Sequence, residues 1–79
     1  MNEESANRVL KIFAEAQKKK YMPCPRCGYA TMDPVVTRNA LSRHADIYVC
    51  SACGTDEAIR DFVGKTIPIT EWIGLKDAE

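Results

Sequence analysis

The chain has 79 residues, of which 46% are hydrophobic, and its 11 basic and 11 acidic side chains cancel. A chain this short forms one small domain, residues 1–79, and buries a small share of its surface, so we expect an added stabiliser. No stretch approaches the roughly 18 apolar residues of a membrane span, which argues against an integral membrane protein. Zero net charge argues against strong non-specific nucleic-acid binding, which depends on Lys and Arg contacts to phosphate.

The charges are unevenly distributed. Residues 1–50 have eight basic and five acidic side chains, whereas residues 51–79 have three basic and six acidic ones. A local basic patch in the first part therefore stays open as a prediction. The start of the chain is polar and charged and lacks the apolar region of a signal peptide, so we expect a cytoplasmic protein in a reducing compartment.

The first predicted element is an amphipathic helix over residues 3–20. Its predicted apolar face follows the i, i+3, i+4, i+7 spacing of one helix side. That face consists of Val9, Ile12, Phe13 and Ala16. Asn2 is the predicted N-cap, and Lys18 to Lys20 are expected in the last turn, where the helix dipole favours cations. The lysines are interpreted as a solvated helix end, with a contact to nucleic acid or lipid headgroups as the alternative.

The central segment, residues 21–55, contains two short pieces rich in β-favouring residues. These are Tyr29 to Val36 and Ile47 to Val49, each flanked by glycine, proline or polar residues. The polar segment between them, residues 37–46, is predicted to form a hairpin tip or a single helical turn.

The last part of the chain, residues 56–79, is predicted to be a short helix and a tail. The helix covers residues 56–63, with Thr55 as its cap and Gly64 at its end. Its predicted apolar stripe is Ile59, Phe62 and Val63. In the tail we expect an extended piece and a turn anchored by Trp72, which is predicted to fill the core together with Tyr48.

The four cysteines form two C-x-x-C-G sequences, residues 24–28 and 50–54, with 22 residues between the two pairs. This spacing is typical of zinc sites. A two-residue gap lets both thiolates of a tight turn point at one ion, and the following glycine permits a positive φ. Four sulfurs complete a closed tetrahedron, which is a structural and not a catalytic arrangement. The predicted ligands of one structural Zn²⁺ are Cys24, Cys27, Cys50 and Cys53.

The same cysteines admit other interpretations. Disulfides are disfavoured by a reducing compartment, and a thioredoxin-type dithiol lacks its βαβ context. Iron in the same four-cysteine cage is the main alternative. The stretches "KKYMPCPRCGYATMDP", residues 19–34, and "IYVCSACG", residues 47–54, resemble the two knuckles of rubredoxins. That resemblance implies iron at the four cysteines and the transfer of single electrons.

A second resemblance covers most of the chain after Cys24. The stretches "NALSRHADIYVCSACGTDEAIRDF", residues 39–62, and "IPITEWI", residues 67–73, resemble small zinc-ribbon proteins of Gram-positive bacteria and their phages or mobile elements. This resemblance implies zinc at the cysteines and a bacterial or phage setting, and it implies no activity. The predicted fold class is α+β, a four-cysteine zinc ribbon with rubredoxin-like β-hairpins between an N-terminal helix and a short C-terminal helix.

Four further side chains are candidates for contact with nucleic acid or another partner, and they are Arg26, Arg38, Arg43 and His44. Each arginine is equally suited to pair with a nearby aspartate or to balance the anionic metal cage. Ser42, His44 and Asp46 share one short segment, and such a set is not expected to converge as a catalytic triad.

We therefore predict a protein that is not an enzyme. It would bind a protein or nucleic-acid partner through the tip of the ribbon and the first helix, or form a homodimer through its N-terminal helix. A rubredoxin-like electron carrier is the alternative.

Overall fold

The computed structural model describes residues 2–78 and begins with helix α1, Glu3–Gln17. The predicted N-cap is confirmed, because the Ser5 N–H donates to Asn2 Oδ1 at 2.7 Å. The predicted end at residue 20 is wrong, and the three lysines lie beyond the last turn. The N–H groups of Lys19 and Lys20 both donate to the Ala16 carbonyl, so the chain turns out of the helix there.

The buried face of α1 differs from the predicted one. Its buried residues are Ala6, Leu10, Phe13 and Gln17. Ile12 is 66% exposed, so its predicted burial is wrong, while Phe13 is confirmed. Both faces have helical spacing, and the helix is rotated because it packs against the C-terminal part of the chain, residues 69–78.

No strand forms over residues 29–36 in the structure, so that prediction is wrong. The loop is instead held by the Asn39 side chain. Its Oδ1 accepts the Asp33 N–H at 2.7 Å, and its Nδ2 donates to the Asp33 and Val36 carbonyls at 3.1 Å each. These bonds satisfy backbone groups that a strand would pair with a neighbour. A 3₁₀ turn, Val36–Arg38, follows.

Two short strands form an antiparallel hairpin. Strand β1, Ala40–Leu41, pairs with β2, Tyr48–Val49, so that Ala40 faces Val49 and Leu41 faces Tyr48. The predicted second β piece is confirmed, and its partner lies inside the segment predicted as a hairpin tip. The Gln17 side chain adds to this sheet, since it donates to the Tyr48 carbonyl at 2.8 Å and accepts the Tyr48 N–H at 3.2 Å.

Helix α2, Ser51–Val63, begins five residues earlier than predicted, with Cys50 and not Thr55 as its N-cap. Its end is confirmed, because Gly64 has a left-handed φ of 75°. The predicted apolar stripe is exposed, because α2 packs on β1 through its opposite side, which includes Cys53 and Glu57. The approach is close: a Cβ on Gly54 would lie 2.4 Å from the Ala40 Cβ.

A second 3₁₀ turn, Ile69–Glu71, and helix α3, Ile73–Ala78, complete the fold. The predicted burial of Trp72 is confirmed, with 1% of the residue exposed. It belongs to a core that includes Leu10, Phe13, Met32, Ile47, Val49, Leu75 and three of the cysteines. The result is a small α+β fold with one two-stranded sheet in the described residues. Within residues 2–78, no helix has the length and apolar character to cross a membrane.

Candidate metal centre

The first cysteine pair lies on a tight turn between α1 and the hairpin. The Gly28 N–H donates to the Cys24 carbonyl at 2.8 Å, and the Cys24 N–H donates to the Tyr29 carbonyl at 3.0 Å. Gly28 has a φ of 81°, as the C-x-x-C-G pattern predicts. An L side chain at this position would be strained, so the glycine is needed to close the turn.

The second cysteine pair lies at the N-terminus of α2. Cys50 is the N-cap and Cys53 occupies the first turn. The Gly54 N–H donates to the Cys50 carbonyl at 2.9 Å as part of the helix, and Gly54 has no positive φ, so the predicted second glycine turn is wrong. The first turn of a helix has unpaired N–H groups and a positive dipole end, which favour thiolates over thiols.

The two pairs meet so that all four sulfurs lie within 4.8 Å of one another. The Cys24 and Cys53 sulfurs are 3.7 Å apart, and those of Cys27 and Cys50 are 4.0 Å apart. A zinc ion with bonds of about 2.3 Å to sulfur requires tetrahedron edges of about 3.8 Å. A disulfide requires about 2.05 Å, and all four cysteines are free. The cluster is therefore suited to hold one metal ion.

The protonation of the cysteines depends on burial and on nearby donors. Burial raises the pKa of the Cys24 and Cys53 thiols. At Cys24, hydrogen bonds from the backbone N–H groups of Cys50, Cys27 and Arg26 act in the opposite direction and reduce this increase. Burial also acts against the Cys50 thiolate, but hydrogen bonds, first among them one from the Thr31 hydroxyl, outweigh it and lower the pKa to about 7. These donors favour the thiolate form that a metal ion needs.

Arg26, one of the candidate contact residues, lies inside the molecule and not on its surface. The residue is 8% exposed, and its Nη2 donates to Asp56 Oδ2 at 2.6 Å. Burial acts against its charge, but Asp56 and Cys53 outweigh this and raise its pKa. The same pairing, with Arg60, lowers the pKa of the Asp56 carboxyl. The Arg26 guanidinium is therefore a buried positive charge that compensates negative charge on the cysteine sulfurs.

Thr31 is a residue that the sequence reasoning missed. Its hydroxyl lies 3.6 Å from the Cys27 sulfur, and it also lowers the pKa of the Cys50 thiol. It occupies the position four residues after Cys27, but the sequence has no pattern that distinguishes it from a solvent-exposed threonine. The first cysteine turn places the Thr31 hydroxyl beside the Cys27 sulfur, and the approach of the second cysteine pair brings Cys50 under its influence as well.

The other candidate contact residues lie away from the sulfurs. Arg38 is exposed and has no ion pair among the described residues. His44 Nε2 lies 2.9 Å from Asp61 Oδ1, and the Arg43 guanidinium lies 4.0 Å from the same carboxylate. The three are not brought together with the metal centre.

The serine, histidine and aspartate of the same loop do not form a triad. The Ser42 hydroxyl donates to Glu57 Oε2 at 2.8 Å and accepts the His44 N–H at 3.1 Å. The His44 ring bonds to Asp61 and not to Ser42 or Asp46. The loop is therefore built around a buried carboxylate, Glu57, which is 2% exposed.

Comparison of the chain with protein-family models, curated proteins and solved structures finds no match. What the metal centre can do must therefore be argued from its own geometry. That geometry is a group of four sulfurs, three of them on buried residues, with a guanidinium, a hydroxyl and several N–H groups around it.

Proposed function

We propose that this protein is a binding module without enzymatic activity, folded by one structural Zn²⁺ at Cys24, Cys27, Cys50 and Cys53. The single observation that carries the proposal is the four-sulfur cluster, because four protein ligands leave a tetrahedral ion no open position for substrate. The cluster also lies within the hydrophobic core, where a metal contributes to folding.

The surface favours a protein partner over nucleic acid. Of the four candidate contact residues, Arg26 is buried, and Arg43 and His44 share Asp61 as a partner. Strong phosphate binding requires several free basic groups on one face. By contrast, α2 exposes large apolar side chains, which are typical of protein interfaces. The bacterial or phage setting stays a proposal that rests on sequence resemblance.

The first prediction concerns the metal. Elemental analysis of protein purified without added metal should find one zinc per chain and no visible absorption. The Cys50→Ser variant should lose stoichiometric zinc and its folded circular dichroism, because one thiolate is removed from a closed site. Ser51→Ala, at an exposed neighbouring position, is the matched control and should keep both.

Two outcomes would contradict the proposal. Iron with a coloured thiolate spectrum would favour the electron carrier, since the same tetrahedron of sulfurs accommodates iron. A Cys50→Ser variant that retains one zinc and a native fold would show that the cluster is not the structural site.

A further inference from the structure

The four cysteines of the cluster differ in their access to solvent. Cys24 is 0% exposed, Cys50 2% and Cys53 6%, whereas Cys27 is partly exposed. Cys27 begins a stretch of chain, residues 27–31, in which no residue is buried. A reagent that approaches from solvent therefore reaches Cys27 before it reaches the other three cysteines.

The sulfurs also form two close pairs, each of which joins the first turn to α2. The Cys27 and Cys50 sulfurs are 4.0 Å apart, and the Cys24 and Cys53 sulfurs are 3.7 Å apart. The Cys24 sulfur accepts the Cys50 N–H at 3.4 Å, which fixes it in the buried part of the cluster. The close sulfur contact of Cys27 is therefore with the other C-x-x-C sequence.

We propose that Cys27 is an oxidation site, where reaction with a peroxide forms a disulfide to Cys50 and opens the metal centre. The proposal rests on the proposed function, because it describes the regulation of the same four-cysteine site. Metal-bound cysteines are thiolates, and the thiolate is the form that peroxides oxidise. Solvent access is the second requirement, and Cys27 meets it best among the four.

The reaction has two steps, and a peroxide is its only co-reactant. In the first, the Cys27 thiolate attacks hydrogen peroxide, an S–O bond forms, the O–O bond breaks and hydroxide leaves. The sulfur is then a sulfenic acid. In the second, the Cys50 thiolate attacks the Cys27 sulfur, an S–S bond forms, the S–O bond breaks and a further hydroxide leaves. The two sulfurs together lose the electron pair that the peroxide gains.

The oxidised chain lacks a four-thiolate site. A disulfide brings its two sulfurs to about 2.05 Å and removes the negative charge that a zinc ligand needs. Cys24 and Cys53 are the two thiolates that remain. Cys50 is also the N-cap of α2, so the change reaches the start of that helix. We therefore expect peroxide to release the metal and unfold the binding module, and a thiol reductant with added zinc to restore both.

The Thr31 hydroxyl is placed to slow this reaction. It lies 3.6 Å from the Cys27 sulfur, and its other acceptor, the Tyr29 carbonyl, is at 3.5 Å, which is long for a bond to oxygen. A thiolate only accepts hydrogen bonds, so the hydroxyl donates to it. Such a bond stabilises the negative charge on sulfur and lowers its nucleophilicity.

Trypsin digestion with mass spectrometry can follow the cysteines of the zinc-loaded wild type. Cleavage after Arg26 separates Cys24, in residues 21–26, from Cys27, in residues 27–38. The second cysteine pair lies in residues 44–60, and peptide fragmentation distinguishes its two members.

Iodoacetamide below stoichiometric amounts should first label residues 27–38, because it reports the accessible sulfur. Hydrogen peroxide, with the remaining thiols then blocked, should link residues 27–38 to Cys50. Zinc, followed with a coloured chelator, should be released in step with this disulfide. Thr31→Val should raise the rate of release at least about threefold. Thr37→Val, at another exposed threonine, is the matched control and should react at the wild-type rate.

Three results would overturn the proposal. They are zinc retention at a peroxide concentration that oxidises the metal-free chain, first labelling of a cysteine other than Cys27, and a disulfide within one C-x-x-C sequence in place of Cys27–Cys50. Equal rates for Thr31→Val and Thr37→Val, each with native zinc content and circular dichroism, would overturn the role of the hydroxyl. Zinc content before peroxide is added tests the proposed function separately. A chain purified without zinc that still forms the Cys27–Cys50 disulfide would contradict the proposed function and not the oxidation site.

Discussion

Arg26 combines two roles at the scale of a single residue. It lies between the two cysteines of the first turn, and the fold buries its guanidinium beside Asp56, Glu57 and Cys53. A buried cation is costly unless it is paired, and here its neighbours are both carboxylates and the Cys53 sulfur. Its charge therefore contributes to the stability of the metal centre and is withdrawn from the surface.

We predict that Arg26→Met, which keeps much of the aliphatic stem and removes the charge, destabilises the zinc-loaded protein by about 2 kcal/mol. The reason is that Glu57, which is 2% exposed, and the thiolates lose a neighbouring cation. Urea unfolding followed by circular dichroism measures the change. Arg38→Met, at an exposed position with no ion pair among the described residues, should stay within about 0.5 kcal/mol. Equal stability of the two variants would contradict the role of Arg26.

At the scale of elements, the metal centre depends on two close backbone approaches. Gly54 lets α2 approach β1 at Ala40, and Gly74 lets α3 approach the first cysteine turn. A Cβ on Gly74 would lie 2.5 Å from the carbonyl oxygens of Cys24 and Pro25. The Ile73 N–H also donates to the Arg26 carbonyl at 3.2 Å. Ile73 and Gly74 therefore pack against the turn that holds two of the four candidate ligands, Cys24 and Cys27.

We predict that Gly74→Ala destabilises the protein by about 1–3 kcal/mol, because backbone atoms cannot move aside as a flexible side chain can. The variant should also release zinc faster to a chelator than the wild type does. Gly64→Asn is the control, since Gly64 has open space around it and asparagine tolerates a left-handed φ. A Gly74→Ala variant with unchanged unfolding and zinc release would show that α3 does not support the turn.

At the scale of the whole molecule, the metal centre and the hydrophobic core are one unit. Cys24, Cys50 and Cys53 belong to the same cluster as Phe13 and Trp72. Between the two cysteine pairs the chain forms loops and a hairpin of two-residue strands, and such pieces have little stability of their own. A metal ion held by the four cysteines would connect the turn before the hairpin to the helix after it.

We predict that removal of zinc by a chelator unfolds the protein, because structural zinc contributes on the order of 10 kcal/mol to small zinc domains. The fluorescence of Trp72, which is 1% exposed, should shift to the red and lose intensity as the indole meets water. Added zinc should restore the native spectrum. A metal-free chain that keeps a buried Trp72 would contradict this coupling.

Much of the metal centre could be predicted because its signals are local. The two cysteine pairs that could hold a metal ion, the Asn2 cap, the positive φ of Gly28 and the end of α2 at Gly64 each depend on a few neighbouring residues. Whether each of those ligands is held by a glycine turn or by a helix was not predictable in this way. The second C-x-x-C-G sequence forms a helix N-terminus, because a glycine can occupy a helix as well as a turn.

The four cysteines suited to a metal ion are evident from the sequence, because two cysteines separated by two residues converge within either a tight turn or a first helical turn. Which apolar faces are buried depends on how the elements pack in three dimensions. Both α1 and α2 have apolar residues on more than one side, and local spacing cannot rank those sides. Only the positions of α3 and β1 choose among them, burying Leu10 and Phe13 and leaving Ile12, Ile59 and Phe62 in water.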